Sequence, residues 1–437
     1  MELKQYQDAY EKLKAGRRGE PSWLLRLRDG AMQTFAQKGF PTLKDDAWRY
    51  TDVAPLRETF FDPEAGTPAL LQETLAEVKR KSGQNFLVIL NGKFLREHSS
   101  VPEGIVAMDL GEAILSRPEL VEPYLGRAVA SGGDIFCALN TAFFPSGLLI
   151  HVPAGQIVKG PMYVVFLADP AKSNRVLYPR NLFVMGKGSR AAIVETYLSK
   201  NGKCYFTNAV TEAVLEPCAV LEHVKIQREN AKAFHIGAIH TVQRNASTFT
   251  SFALSTGSRL ARSGCQVALA EAGAACELNG LYLGDKDQVL DHQTFVDHLE
   301  PDGKSRQFFK GLMAEHSHGI FRGQVMVRQD AQRTDAQQTN KNLLLSDTAK
   351  VDTQPQLEIL ADDVKCSHGA AVGQLQEDAI FYLRSRGIGE KDAGRILSQG
   401  FAREVIERSS LDFIKEMLLA LVDEKLAQQF LSERMEL

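Results

Sequence analysis

The chain has 437 residues, 44% of them apolar and 24% charged, with a net charge of −3. That length exceeds one ordinary compact core and calls for two or three units or a solenoid, while the composition is that of a water-soluble globular protein. A charge so near zero gives no basis for nucleic-acid binding or electrostatic attachment to a membrane, and no apolar run approaches the ~20 residues that span a bilayer.

The first residues, Met1 to Tyr6, lack the apolar stretch of a secretory signal. Six cysteines, at 137, 204, 218, 265, 276 and 366, form no Cys-x-x-Cys pair and match no zinc-finger or ferredoxin spacing. We therefore expect reduced thiols in a soluble cytoplasmic protein.

In chain order, residues 1 to about 80 carry helical periodicity. Leu24, Leu27, Ala31 and Phe35 share a face, Ser22 is placed to cap the start, and Gly39 with Pro41 supplies the stop. Phe86 to Leu90 reads as a strand closed by an Asn91-Gly92 turn, and Ala113 to Leu125 reads as a helix. From about 135 to 375 the pattern shifts to short alternating stretches, such as Met162 to Phe166, Ala192 to Val194 and Ala219 to Val224. Turn elements recur near Cys218, Ala246, Gly273, Gly303 and Gln332 at intervals of about 28 residues, within the range of repeat architectures. A β-solenoid and a β-sandwich both fit this local pattern. Helical character returns after Gln376: Glu377 to Arg386, ended by Gly387, then about Lys391 to Ser398, then Leu411 to Phe430 with apolar residues at 414, 417, 418 and 421. On general grounds such a stripe packs within the chain more often than it docks a partner.

The residues with the most chemistry are Cys366 and His368, two apart, following the alternating segment around Leu357 and Ile359. If that strand continues, thiol and imidazole point to one face, with Cβ atoms roughly 7 Å apart, close enough to meet on one iron or zinc ion. A lone Cys-x-His is more often core packing. His316-x-His318 has the same spacing, and Asp291-His292 repeats as Asp297-His298 six residues on, so a carboxylate–imidazole metal site is conceivable there. Gly303-Lys304-Ser305 imitates the end of a phosphate loop, but His298 stands where its first glycine belongs. There is no Gly-x-Ser-x-Gly, His-Glu-x-x-His or Gly-x-Gly-x-x-Gly. No self-sufficient active site is visible, which favours a scaffold.

Longer words surround the Cys-His pair: Phe321-Arg322-Gly323, Gln332 to Ala336, Leu343 to Ser346, Pro355 to Ile359 and Phe381 to Ile388. Their order and spacing resemble the SufB/SufD family of iron–sulfur cluster assembly proteins. Ala138 to Phe144, Gly147, Ile150 to Pro153 and Gly155 resemble that family's entry into its central domain, and Trp48 to Thr51 after Gly39-Phe40-Pro41 resembles the N-terminal region of its SufD branch. The resemblance implies a right-handed parallel β-helix over 131–375, between an N-terminal helical and mixed region (1–130) and a C-terminal helical domain (376–437) that an ABC-type ATPase, SufC, grips. It also implies pairing with a SufB paralogue, a transient iron–sulfur cluster on the complex, Cys366 and His368 as candidate iron or cluster ligands at the shared interface, and a non-catalytic role. A reduced flavin on the complex and a homodimer of the isolated chain are further expectations. In SufB-type sequences the stretch at Cys366 resembles Glu-His-Glu, with its imidazole aligned to His368, and a further cysteine lies near the position of Leu357 to Ile359. The alternatives are a purely structural interaction module and, less in keeping with the residues, a β-helix carbohydrate-active enzyme.

Overall fold

The alternation expected from about residue 135 folds, from Gly147 onward, as a parallel β-solenoid of two sheets, each coil giving one strand to each sheet, whereas residues 135–143 form a helix. The computed structural model describes residues 2–17, 19–63, 85–129, 134–199 and 202–432, so part of the helical stretch expected up to residue 80 lies outside the described residues. Four short strands come early: β1 (Phe86–Leu90), β2 (Lys93–Phe94), β3 (Val106–Asp109) and β4 (Gly147–Val152). Next come β5 (Ile157–Ala168), β6 (Arg175–Leu177), β7 (Arg180–Met185), β8 (Arg190–Ser199), β9 (Tyr205–Leu215), β10 (Val220–Arg228), β11 (Phe234–Gln243) and β12 (Thr248–Ser255). The last are β13 (Leu260–Leu269), β14 (Ala275–Gly284), β15 (Val289–His298), β16 (Lys304–Met313), β17 (His318–Val327), β18 (Thr334–Leu344), β19 (Lys350–Ile359) and β20 (Val364–Gln374). The first sheet runs β2-β1-β5 and then through the even strands from β8 to β20; the second runs from β19 down the odd strands to β7, then β4 and β3.

Register is strict. Val220, Thr248, Ala275, Lys304, Asp335 and Lys365 lie side by side, so one coil takes 27 to 31 residues, in line with the interval of about 28 read from the turns. The turn residues themselves form a column. Cys218 (φ 62°), Ala246 (52°), Gly273 (72°), Asp302 (63°) and Arg333 (59°) are left-handed. Each donates its backbone N–H to the next coil, to the carbonyls of Asn245, Ala272, Pro301, Gln332 and Asp363. For a residue with a Cβ that conformation costs about 1–2 kcal/mol, offset here by a ladder bond at the corner.

Helices cover the outer faces of both sheets. On the second sheet, α1 (Glu2–Gly16), α2 (Ser22–Lys38) and α5 (Ile135–Phe143) bury Tyr6, Leu24, Phe35 and Phe136 against Leu182, Phe206, Phe234 and Leu260. Arg28 of α2, almost fully buried, donates to the carbonyls of Thr141 and Phe144. Ser22 is the first helical residue and Pro21 the cap, one place earlier than the sequence suggested; Gly39 (φ 65°) ends α2 as expected. The Asn91-Gly92 turn is also confirmed, with both residues left-handed between β1 and β2. The helix expected over 113–125 is shorter. After α3 (Ala54–Glu58), α4 spans Leu110–Ser116, and Pro118, which cannot continue an α-helix, starts a 3-10 turn.

On the first sheet, α7 (Glu390–Ile406) and α8 (Asp412–Ser432) cover the outer face, while α6 (Glu377–Ser385) buries none of its residues. Ile414, Leu418, Val422 and Leu426 pack on Val224, Phe252, Leu281, Phe308 and Leu312. Lys425 bridges to Asp285 at 2.8 Å, and Lys310 donates to the Phe401 carbonyl at 2.8 Å and pairs with Glu404. The stripe at 414, 417, 418 and 421, which the resemblance had turned toward an ATPase, is therefore largely taken by the chain's own sheet.

Two outcomes follow from this packing. Ala246→Gly should raise stability by about 1 kcal/mol and Ala246→Val should lower it, read by chemical denaturation; equal effects would show the corner to be unstrained. Truncation after residue 375 should give a chain that binds a hydrophobic dye and aggregates, because it uncovers Val224, Phe252, Leu281, Phe308 and Leu312. A monomeric, dye-free truncation product would contradict that.

Candidate functional site at the open end of the solenoid

Between Ile359 and Val364 the chain crosses from one sheet to the other. Cys366 and His368 thus do not prolong the strand of Leu357 and Ile359, as the sequence suggested; they lie on β20, in the opposite sheet. Their shared face survives the correction, because β20 is itself a strand and alternates. Cys366 stands beside Ala336, and His368 beside Gln338. Both neighbours are buried inside the solenoid, so thiol and imidazole belong to its inward face.

That face is uncovered. Among the described residues, strand β20 pairs only with β18, and β19 only with β17, so both sheets end there in an unpaired edge. The last coil has Leu357 and Ile359 in the inward register of β19, and Cys366, His368, Ala370 and Val372 in that of β20. Ile359 and Val372 are 40% and 47% exposed, and His368 is exposed as well. Cys366 is half-buried against the solenoid's apolar core. Burial pushes its thiol pKa up, with the Asp335 carboxylate adding to the rise, while a backbone hydrogen bond at Ala336 opposes it. A thiol held in its protonated form must lose that proton to bind metal, so its affinity rises with pH. The pair offers one soft and one borderline donor. No group of three or more His, Cys, Asp or Glu is placed to hold a metal ion among the described residues. Two donors leave about half of a four-coordinate iron unfilled.

The other candidates separate. His316 lies in a turn, while His318 begins β17 and contacts Asp352 at 2.6 Å. On β15, His292 and His298 share the inward face, as their spacing predicts, but Asp291 and Asp297 face outward. Asp291 accepts from Thr51 at 2.5 Å and pairs with Arg262; Asp297 pairs with Arg328. His298 contacts Ser305 Oγ at 2.9 Å, and burial lowers both histidines to about 4, so they stay neutral. Gly303 follows a turn and Lys304 opens β16, an ordinary coil corner.

Two features escaped the sequence reading. Phe381 and Tyr382, quoted there only as part of a longer word, are 73% and 57% exposed on α6. A file of buried polar side chains, including Gln307, Gln338, Asn340 and Asn342, lines the interior. Its signal is the coil period: Gln307, Gln338 and His368 fall in one register column.

Comparison with known proteins agrees with this architecture. Residues 166–401 match the SufBD core domain of the SUF iron–sulfur cluster assembly system, and residues 1–164 match the SufBD N-terminal region. An iron–sulfur cluster assembly SufBD family protein of Synechocystis is 32% identical over 90% of this chain and 89% of its own length. Protein ABCI7 of Arabidopsis thaliana chloroplasts is 32% identical over 88% and 82%, and the iron–sulfur cluster assembly protein SufD of Escherichia coli is 29% identical over 90% and 91%. The six cysteines are free, and no helix among the described residues is long and apolar enough to cross a membrane. With both of its regions matched, the chain belongs to the SufBD family of iron–sulfur cluster assembly proteins.

Proposed function

We propose that this chain is the SufD-type subunit of a cytoplasmic cluster-assembly complex and turns over no substrate of its own. Its open last coil meets that of a SufB-type paralogue, and Cys366 and His368 join donors from that partner to receive iron and sulfide as cargo. The observation that carries this reading is the uncapped end: two strand edges, β19 and β20, unpaired among the described residues and flanking an exposed inward face on which a thiol and an imidazole stand. An unpaired strand edge is a template for another chain, and an uncapped solenoid coil leaves its interior in water unless something stacks on it. A second open coil satisfies both needs at once and supplies the ligands that a lone Cys-His pair lacks. Two copies of this chain could pair by the same edges when the paralogue is absent. We assign no flavin to any residue of this chain.

The same reading places the ATPase SufC on α6 and the adjoining surface of α7. The apolar stripe of α8 is occupied, so the exposed Phe381, Tyr382 and Ile396 are the apolar groups these helices offer a partner. Exposed aromatic side chains are frequent binding anchors.

The donors should not be equivalent. His368→Ala removes an imidazole that sits exposed on the open coil, and should abolish cluster assembly in cells that depend on this pathway while the complex still forms. Cys366→Ala removes a half-buried, protonated thiol and should reduce assembly only in part. Complementation, size-exclusion and acid-labile sulfide analysis of each variant complex are the measurements. Full growth with His368→Ala would leave a purely structural module, and loss of the complex would mark a packing histidine. For the helices, Phe381→Asp with Tyr382→Asp should release the ATPase in pull-down with circular dichroism unchanged; undiminished capture would put its grip elsewhere.

A further inference from the structure

The interior of the solenoid carries polar side chains from its middle to its open end, interrupted by Leu278 on the first sheet and Ile239 on the second. Inward register columns carry His223, Ser251, Gln307, Gln338 and His368 on the first sheet, and Thr211, Cys265 and Thr294 on the second. At the deep end lies a cluster of charge. Lys225 is faced by Glu195 and Tyr197 of β8, His223 and Gln227 of its own strand, Glu229, His235 of β11 and Cys265 of β13, and burial lowers its ammonium to about 8.

Several of these groups have no protein partner among the described residues. His223 Nε2 lies 3.8 Å from Glu195, too far for a direct hydrogen bond. His235 Nε2, His292 Nε2, Gln307 Nε2 and Gln338 Oε1 are buried and unpartnered, as is Thr353 Oγ1 on the last coil. Their other atoms are used: His223 Nδ1 contacts Ser251 Oγ at 3.1 Å, and Gln307 Oε1 accepts from Thr294 at 2.6 Å and Gln338 at 3.1 Å. Leaving one such group dry costs about 1–3 kcal/mol, and buried water is the usual remedy. Glycines make room for two of these side chains: a Cβ at Gly237 would overlap the Lys225 ammonium, and one at Gly323 the Gln338 amide.

We propose that the solenoid holds a file of ordered water that links the Lys225 cluster to the open coil at Thr353 and His368. The buried charges of this cluster then exchange protons through the end that carries His368 and not through the helix-covered walls. His240 is the internal control, since it is buried on the outer face of the second sheet against Cys137 Sγ at 3.1 Å, outside the file.

Two measurements on the full chain test this. An atomic-resolution crystal structure should show water within hydrogen-bond reach of His223 Nε2, His235 Nε2, His292 Nε2, Gln307 Nε2 and Gln338 Oε1; a dry interior overturns the proposal. With histidine ring nitrogens labelled, NMR should show ring N–H exchange with water about tenfold faster at His223, His235 and His292 than at His240, and equal rates overturn it. Gly323→Val, which plugs the file, should slow exchange about tenfold at His223 and His235 and leave His368 unchanged. Unchanged rates at the two deep histidines would refute entry from the open end. If Gly323→Val does not fold, Thr294→Leu provides the plug.

Discussion

In-register parallel pairing of each coil on the next is the constraint on which the rest of this molecule depends. Because Val220, Thr248, Ala275, Lys304, Asp335 and Lys365 share one row, a residue that points inward on one coil has inward neighbours on both sides. Side chains are thereby sorted into columns that run the length of the solenoid. A largely apolar column (Leu221, Phe249, Cys276, Ala336), with Ser305 as its polar interruption, ends at Cys366, and a polar one (Ser251, Gln307, Gln338) ends at His368, with Leu278 as its apolar interruption. What reaches the open end is the last member of a column whose character was set several coils earlier. Helices on both outer faces bury the walls, so the uncovered coil is where interior chemistry meets solvent.

Much of this was legible in the sequence, for physical reasons that can be named. The coil period showed because each corner needs a left-handed residue or a small one, and Cys218-Ala219, Asn245-Ala246, Gly273 and Asp302-Gly303 mark those corners. The shared face of Cys366 and His368 followed from alternation alone. Which sheet they belong to did not, since a four-residue corner at 360–363 carries no strong turn signal to separate β19 from β20. The interior polar file was hidden for a related reason. Residues about 30 apart, each unremarkable in its own strand, become one feature only after the register is known.

The C-terminal stripe shows how a functional expectation can outrun packing. Ile414, Leu418, Val422 and Leu426 look like a docking face because helical periodicity cannot say whether the complementary surface lies in the same chain. Here it does. Burying four such side chains is worth roughly 6–12 kcal/mol as an upper bound, comparable to the whole stability of an ordinary domain. Any ATPase-driven motion that peeled α8 from the sheet would work against that energy. A rotation that carries α7, α8 and the solenoid together does not, and it leaves α6, none of whose residues is fully buried, as the element free to follow a partner.

The columns also set Cys366 and His368 apart. Cys366 ends a largely apolar column and packs half-buried against the core, so its thiol is partly desolvated and its pKa is raised. His368 ends a polar column, is exposed, and lies beside Gln338, whose carboxamide oxygen has no protein partner. Its surroundings are already arranged to exchange hydrogen bonds and protons. A docked second coil would desolvate both donors, but only the imidazole would retain a polar neighbour behind it. The asymmetry therefore arises from the columns and would persist if Cys366 were replaced by another donor, whereas a replacement at His368 would place a new group against the polar column and change what the open end can bind.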